Sequence, residues 1–591
     1  MSLANLGPNG FQPGAWRWLI ERVWRLEHAF ERSRAAAKPE DDTRIRIFVI
    51  MAVFGVCFLG LAIGAGHSAL FSDAGQGNGY LASTEGARGD LVDRDGRLLA
   101  VDLTHYALYV DPREVWDKAE TRRVLGRALP EVPAKRLDKV VFGDKRTFLL
   151  DGLTPEQRDA IFDLGLPGVS FEAQGRRMYP LGATAAHLVG FVDSGGKGLA
   201  GAEWALDKPI RSAAGIPGGR AGTPTTLSID VRIQAALEDE LRKAAIEFQP
   251  RGAVGVVTNV HTGEILGMAS YPDFDPNKAG TATDDQKLNR AAASVFEMGS
   301  TFKAFTVAIG LDTGVATPNS TFDAREPYKL GYRTIHDYHA AKAILNLVQV
   351  FQHSSNIGTA KLAEAVGVKR LSQYFGALGL TRPAEVELRE SARPLTPKVW
   401  NEDAVASTSF GHGMNVSPLA LSEAMGALLN GGTRPPLTIL KRPDGVRPEG
   451  PRVLTEETSR EMLKIMRANV ADPIGSGGKA DVPGYSVGGK TGTGEKYDPA
   501  IRGYNHQRQV SSFAAVFPTD GPIEADRYFV LILLDEPKGN ARTFGFSTGG
   551  WVAAPAAGHV IARIAPFLGV QRKTDAVVLA SQPKAAPGAG L

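Results

Sequence analysis

Glu297-Met298-Gly299-Ser300-Thr301-Phe302-Lys303 places a hydroxyl and an amine three residues apart. On a helix that spacing puts both side chains on one face, roughly 5–6 Å apart at Cβ. A serine hydroxyl is a weak nucleophile until a base takes its proton, and a lysine can be that base only when burial or nearby positive charge lowers its pKa. A helix opening here supplies such charge from its amino terminus and offers backbone N–H groups to a developing oxyanion. Phe302, Phe305, Val307 and Ile309 follow, so the helix is expected to be buried and the lysine desolvated.

One Ser and one Lys at this spacing also arise by chance in a chain of 591 residues, so the pair needs company. His353-Ser354-Ser355-Asn356 leads into a helical pattern. Ser354 could relay a proton, and Asn356 offers a carbonyl acceptor and amide donors to a substrate amide. Alone, Ser-x-Asn says little, because turns are full of such residues. Val487-Gly488-Gly489-Lys490-Thr491-Gly492-Thr493 precedes two strand patterns, 510–517 and 528–534. An edge strand there brings the Lys490 cation, the Thr491 and Thr493 hydroxyls and a free N–H to a cleft, groups suited to a carboxylate and an acyl oxyanion.

Gly484, Gly489, Lys490 and Thr491 also match the phosphate-binding pattern G-x-x-x-x-G-K-[ST]. That motif needs a helix directly after its Lys-Thr pair, and Gly492-Thr493-Gly494 followed by Asp498-Pro499 forbids one, so no nucleotide is expected.

The positioning elements read as follows. Asp230 caps a helix with an apolar stripe at Ile233, Leu237, Leu241, Ala244 and Phe248. Residues 253–257 and 265–269 form a strand pair around the turn His261-Thr262-Gly263. Upstream, Asp95-Gly96 between alternating apolar residues predicts a hairpin. Arg176 to Gly182, Ala186 to Val192 and Gly198 to Glu203 hold no nucleophile with a base, so packing and docking are their expected tasks. His187 reads as a hydrogen-bonded structural residue, since no second ligand sits at metal spacing. Short helical patterns between Glu114 and Asp163, rich in charge, suggest a solvated insertion.

A net charge of +3 gives no hint of nucleic acid. From Ile47 to Ser72 no charged residue occurs, and Arg17, Arg22, Arg25, Arg32, Arg34, Lys38, Arg44 and Arg46 precede that run. About twenty apolar residues span a bilayer, and the basic flank sets the amino terminus in the cytoplasm. The expectation is an uncleaved transmembrane helix at 47–71, with the bulk of the chain outside the cytoplasm. Before it, Trp16, Leu19, Ile20, Val23 and Phe30 recur at helical spacing, which fits either a basic amphipathic helix or a disordered tail. Cys57, the only cysteine, lies within the span, so the exported part has no disulfide.

Ser300-x-x-Lys303, Ser354-x-Asn356 and Lys490-Thr491-Gly492, in that order, resemble the motif set of the penicillin-binding proteins and class A β-lactamases. Over nearly its whole length the chain resembles the class B penicillin-binding proteins. Met298 departs from the family's usual Glu-Pro-Gly-Ser, and Asn356 looks like the septal, FtsI-type branch.

The resemblance implies an α+β protein: a cytoplasmic tail (1–46), the span, an elongated, mostly β pedestal (72–225) and a transpeptidase domain (226–570) whose central antiparallel sheet packs between helices. A disordered tail (571–591) completes it. It implies that Ser300 attacks the D-Ala-D-Ala carbonyl of a donor stem peptide with Lys303 as base, while Ser354 passes the proton to the leaving amine and Lys490 keeps Lys303 neutral. Asn356 would bind the donor amide, Thr491, Gly492 and Thr493 the donor, and the N–H groups of Ser300 and Thr493 the oxyanion. An acceptor amine would complete septal cross-linking, and β-lactams would remain attached. No cofactor or metal is implied.

Implied partners are an FtsW-type glycosyltransferase and other division proteins of the inner membrane, with the catalytic part periplasmic. A β-lactamase would need a deacylating segment such as Glu-x-x-Leu-Asn, and Glu387 and Glu390 lie in the wrong context for one. The remaining alternatives are an elongation-specific transpeptidase of the same class and a β-lactam-sensing scaffold without turnover.

Overall fold

The computed structural model describes residues 88–213, 222–330, 333–498, 500–501 and 503–573, with positions 25, 28, 32, 50, 51 and 53–61. The chain divides into two units, Met1–Leu81 and Ala82–Leu591. In the first, positions 50, 51 and 53–61 are helical, and Met51, Phe54, Val56, Phe58 and Leu61 are exposed. Among the described residues no helix is long and apolar enough to cross a membrane. The rest of the predicted span, the amphipathic positions Trp16, Leu19, Ile20, Val23 and Phe30, and the tail beyond Lys573 lie outside the described residues.

The second unit opens on a sheet of β1 (Leu91–Val92), β2 (Leu98–Val110), β3 (Thr147–Leu153), β4 (Val169–Met178) and β5 (Thr225–Thr226). The predicted Asp95-Gly96 turn joins β1 to β2, which pair antiparallel. Between β2 and β4 run α1 (Lys118–Ala128), α2 (Ala134–Val141) and α3 (Pro155–Phe162). Here the expectation of a mostly β pedestal with a merely solvated insertion is corrected. Leu125 of α1, Leu137 and Val140 of α2 and Ile161 of α3 are buried with Leu108, Val110, Leu149 and Leu153 of the strands, so the charged helices close a core of their own.

Arg88, just before β1, meets Arg177 and Glu203, from two of the stretches that carried no chemistry in the sequence, in one buried ion network. Glu203 accepts from Arg88 (2.8 Å) and Arg177 (2.7 Å), Arg177 also reaches Asp102 at 3.0 Å, and Arg88 reaches Asp207 at 2.5 Å. Each guanidinium fork finds carboxylates, which is the condition for keeping such charges out of water. His187 is buried as expected, its Nε2 2.7 Å from the Gln286 carbonyl oxygen.

The larger part of this unit is built on an antiparallel sheet in the order β12-β13-β14-β6-β7, formed by β6 (Gly252–Asn259), β7 (Ile265–Tyr271), β12 (Gly488–Asp498), β13 (Gly503–Phe517) and β14 (Tyr528–Asp535). Four short strands, β8 (Thr321–Asp323), β9 (Tyr328–Leu330), β10 (Arg333–Ile335) and β11 (Ile344–Asn346), make two small pairs elsewhere. Successive residues of β14 are buried on opposite faces, as period-two geometry requires. Val530 and Ile532 join Ile233 and Phe248 of α4 (Val231–Phe248) and Val560 of α10 (Gly549–Ile564). Phe529, Leu531 and Leu533 join a helical layer on the other face. That layer holds α5 (Lys303–Asp312), α6 (Leu347–Gln352), α7 (Asn356–Val366), α8 (Pro418–Leu429) and α9 (Glu456–Ala471). Asp230 caps α4 by accepting from the Arg232 N–H, as the sequence predicts.

Candidate active site

Ser300 lies in a single 3-10 turn, Gly299–Phe302, that feeds into α5. The predicted helix start is therefore tighter than an α-turn, and the Lys303 N–H closes it on the Ser300 carbonyl. Gly299 has φ +55°, and a Cβ there would stand 2.3 Å from the Thr493 carbonyl oxygen. At Gly492 a Cβ would meet the Met298 carbonyl oxygen at 2.5 Å. Backbone thus meets backbone between the Ser300 turn and edge strand β12, which only residues without side chains permit. Among the described residues Ser300 Oγ makes no hydrogen bond.

The second fragment arrives as a turn between α6 and α7. Lys303 Nζ donates to the Ser354 carbonyl and, at 3.1 Å, to Ser354 Oγ. Lys490 Nζ, from β12, reaches the same Oγ at 3.0 Å. One hydroxyl therefore bridges two buried amines, both with no exposure to solvent. Asn356 stands one turn on, with its Nδ2 donating to the His336 carbonyl at 2.9 Å. One of its amide hydrogens is thus committed to the protein.

Burial brings Lys303 down to about 7, against an opposing pull from Asp337. Lys490 is also lowered, by burial first and by Lys303 second. Loss of water is the leading cause for both amines, in line with the desolvation expected of a lysine on a buried helix. Of the two, Lys490 has the better-lined seat for a charge. Its Nζ has Ser354 Oγ, Thr491 Oγ1 (3.2 Å), the Thr491 carbonyl (3.3 Å) and Ser476 Oγ (3.5 Å) around it, and the Phe351 ring centroid at 5.6 Å. Oxygen acceptors and an aromatic face both favour an ammonium.

The third fragment is a strand, Gly488–Asp498, and not a phosphate loop followed by a helix. Thr491 Oγ1 donates to Ser476 Oγ at 2.9 Å, and Thr493 Oγ1 accepts from the Gly549 N–H at 3.2 Å. Sequence reasoning missed Ser476, Asn469 and Asp337. Asn469 donates from Nδ2 to the Gly489 carbonyl and accepts from the Ser476 N–H, fixing β12 to α9. Ser476 sits in Gly475-Ser476-Gly477-Gly478, which reads as an ordinary turn, so no signal singled it out. Glu387 accepts from Thr438 and the Ile439 N–H, and Glu390 from Asn289, so both carboxylates serve structural bonds.

Comparison with known proteins agrees with this arrangement. The sequence matches the penicillin binding protein transpeptidase domain over residues 253–561 and the penicillin-binding protein dimerisation domain over residues 83–202. It is 79% identical over 593 residues, covering all of both chains, to the probable peptidoglycan D,D-transpeptidase FtsI of Caulobacter vibrioides. It is 31% identical over 515 residues to the peptidoglycan D,D-transpeptidase FtsI of Escherichia coli K12, covering 82% of this chain and 84% of that one. The crystal structure of penicillin binding protein 3 from Mycobacterium tuberculosis complexed with aztreonam superposes with a TM-score of 0.64 at 26% identity, covering 83% of this chain and 98% of that one. With the Ser300, Ser354 and Lys490 fragments in contact with one another, the chain belongs to the penicillin-binding proteins, as a peptidoglycan D,D-transpeptidase of the FtsI kind.

Proposed function

We propose that the reaction runs through Ser300, Lys303, Ser354 and Lys490 in the cross-linking of peptidoglycan stem peptides at the division septum. The observation that carries the reading is the Ser354 hydroxyl held at 3.1 Å from Nζ of Lys303, which stands one turn after Ser300, and at 3.0 Å from Lys490 Nζ. Lys303 takes the Ser300 proton as Oγ bonds to the donor carbonyl carbon. The N–H groups of Ser300 and Thr493 receive the oxyanion. As the C–N bond to the terminal D-alanine breaks, Ser354 passes a proton to the leaving nitrogen and is resupplied by the lysine pair. Asn356 takes the donor amide, and Thr491, Gly492 and Thr493 bind the donor's terminal end, Thr491 and Thr493 taking its carboxylate. An acceptor amine then attacks the acyl-enzyme and gives its proton back along the same path. A β-lactam enters as the donor does, and its leaving group stays tethered.

Anchorage by a span at 47–71, with the amino terminus in the cytoplasm and the catalytic part periplasmic, is supported by the uncharged run and the arginines before it. Domain limits at 72–225 and 226–570 belong to the same reading. A pedestal without chemistry of its own fits docking to an FtsW-type glycosyltransferase and other division proteins. Ser300→Ala is expected to abolish both fluorescent-penicillin labelling and cross-linking of lipid-linked substrate made by a polymerase partner. Retention of either activity would show that the nucleophile lies elsewhere.

A further inference from the structure

Ser354 holds φ +54°, left-handed backbone that a residue with a Cβ adopts only under strain. Something must hold it there, because this conformation lets its carbonyl and its Oγ face Lys303 together. The brace comes from the connection between β10 and β11. Asp337 Oδ2 accepts from Ser355 Oγ at 2.8 Å, and Asp337 Oδ1 accepts from the Ile357 N–H at 3.0 Å. Ser355 in turn caps α7 by accepting from the Gly358 N–H at 3.0 Å. Both carboxylate oxygens are therefore spent on the first turn of the helix that begins just after Ser354.

We propose that Asp337 is a positioning residue for the transpeptidation chemistry, pinning the turn that presents Ser354 and standing as counter-charge to the buried Lys303. The inference rests on the reading of Lys303 as the base.

Among the charges around that amine, Lys490 faces it from β12 and Asp337 from the β10–β11 connection. Lys369 and Arg370 of the helix Val368–Ala377 and Glu402 and Asp403 of the helix Glu402–Ser409 also lie on elements packed against α5, and none of them shifts Lys303. The charges nearest on the remaining helices are engaged elsewhere. Lys361 and Glu364 of α7 are held at Tyr328, Glu423 of α8 at Arg434, and Asp472 at the end of α9 at Gln352. The helix α6 carries no charged side chain and ends on His353. Asp337 is thus the carboxylate that raises the proton affinity of Lys303, opposing burial.

The test is the second-order rate of acylation by a fluorescent penicillin, followed against pH on the full-length protein in detergent, for wild type, Asp337→Asn and Ser355→Ala. Peptide mapping of the wild-type adduct is done first, and a label away from Ser300 overturns both the site reading and this inference. With the label on Ser300, Asp337→Asn is expected to lower the plateau rate about tenfold, the effect of one lost hydrogen bond to a charged group. Its acidic limb should move down by about one pH unit, because removing a negative charge near an amine lowers that amine's pKa. Ser355→Ala keeps the charge and loses the bonds to Asp337 and to the Gly358 N–H, so its plateau should fall while its limb stays in place. An Asp337→Asn profile whose limb coincides with wild type, or a Ser355→Ala limb displaced as far as that of Asp337→Asn, overturns the inference. If Asp337→Asn does not fold, Asp337→Glu decides: a retained limb position supports it, and a limb displaced downward overturns it.

Discussion

At the scale of the residue, the site turns on how many protons two buried amines can hold around one hydroxyl. With Lys303 lowered to about 7, acylation by a β-lactam should rise with pH through that region, since the base must be unprotonated before Ser300 attacks. Stopped-flow labelling between pH 5.5 and 8.5 checks this, and a flat profile would separate Lys303 from the rate. Ser300, Lys303, Ser354, Asn356 and Lys490 could be named from the sequence because each stands at a fixed offset within a short motif. Ser476 and Asp337 could not. Their contacts to Thr491 and Ser355 run across 15 and 18 residues of chain, and neither local neighbourhood differs from an ordinary turn.

At the scale of the element, the sequence patterns reveal α4, the β6–β7 pair and the β13–β14 strands because burial on one or both faces leaves a periodic trace. The tight seam between the Ser300 turn and β12 left only glycines at 299 and 492, whose role appears once backbone atoms of the two segments are seen in contact. The pedestal helices were misjudged for a related reason. Their arginines and acids face solvent while a few leucines and valines close a core, and short amphipathic helices rich in charge read as exposed. The Arg88, Arg177 and Glu203 network ties stretches separated by 115 and 26 residues, beyond the reach of any local pattern. Glu203→Ala leaves two guanidinium groups buried without their shared partner, so a loss of about 3–5 kcal/mol is expected in urea unfolding. A change below 1 kcal/mol would mean that water replaces the carboxylate freely.

At the scale of the whole molecule, two buried histidines bias the fold against acid. His187 and His261 are both held near 4 by burial, below the 6.5 of an unfolded chain. The unfolded state then binds more protons below pH 6.5, so the stability these groups supply is complete above 6.5 and drains away as pH falls toward 4. Each contributes up to about 3 kcal/mol over that window. The urea midpoint of His187→Gln should therefore fall less steeply between pH 6.5 and 4.5 than that of wild type. Parallel slopes would mean that His187 is protonated in the folded protein.

The central claim is that the hydroxyl at 300 is the group that becomes acylated, served by an amine that shares Ser354 with Lys490. The direct measurement is mass spectrometry of the penicillin-treated protein after trypsin. The tryptic peptide from Ala291 to Lys303, which holds Ser294, Ser300 and Thr301, should carry the mass of the opened β-lactam, with fragment ions placing it on Ser300. An unmodified peptide, with the adduct on Ser354 or on any other side chain, would contradict the account.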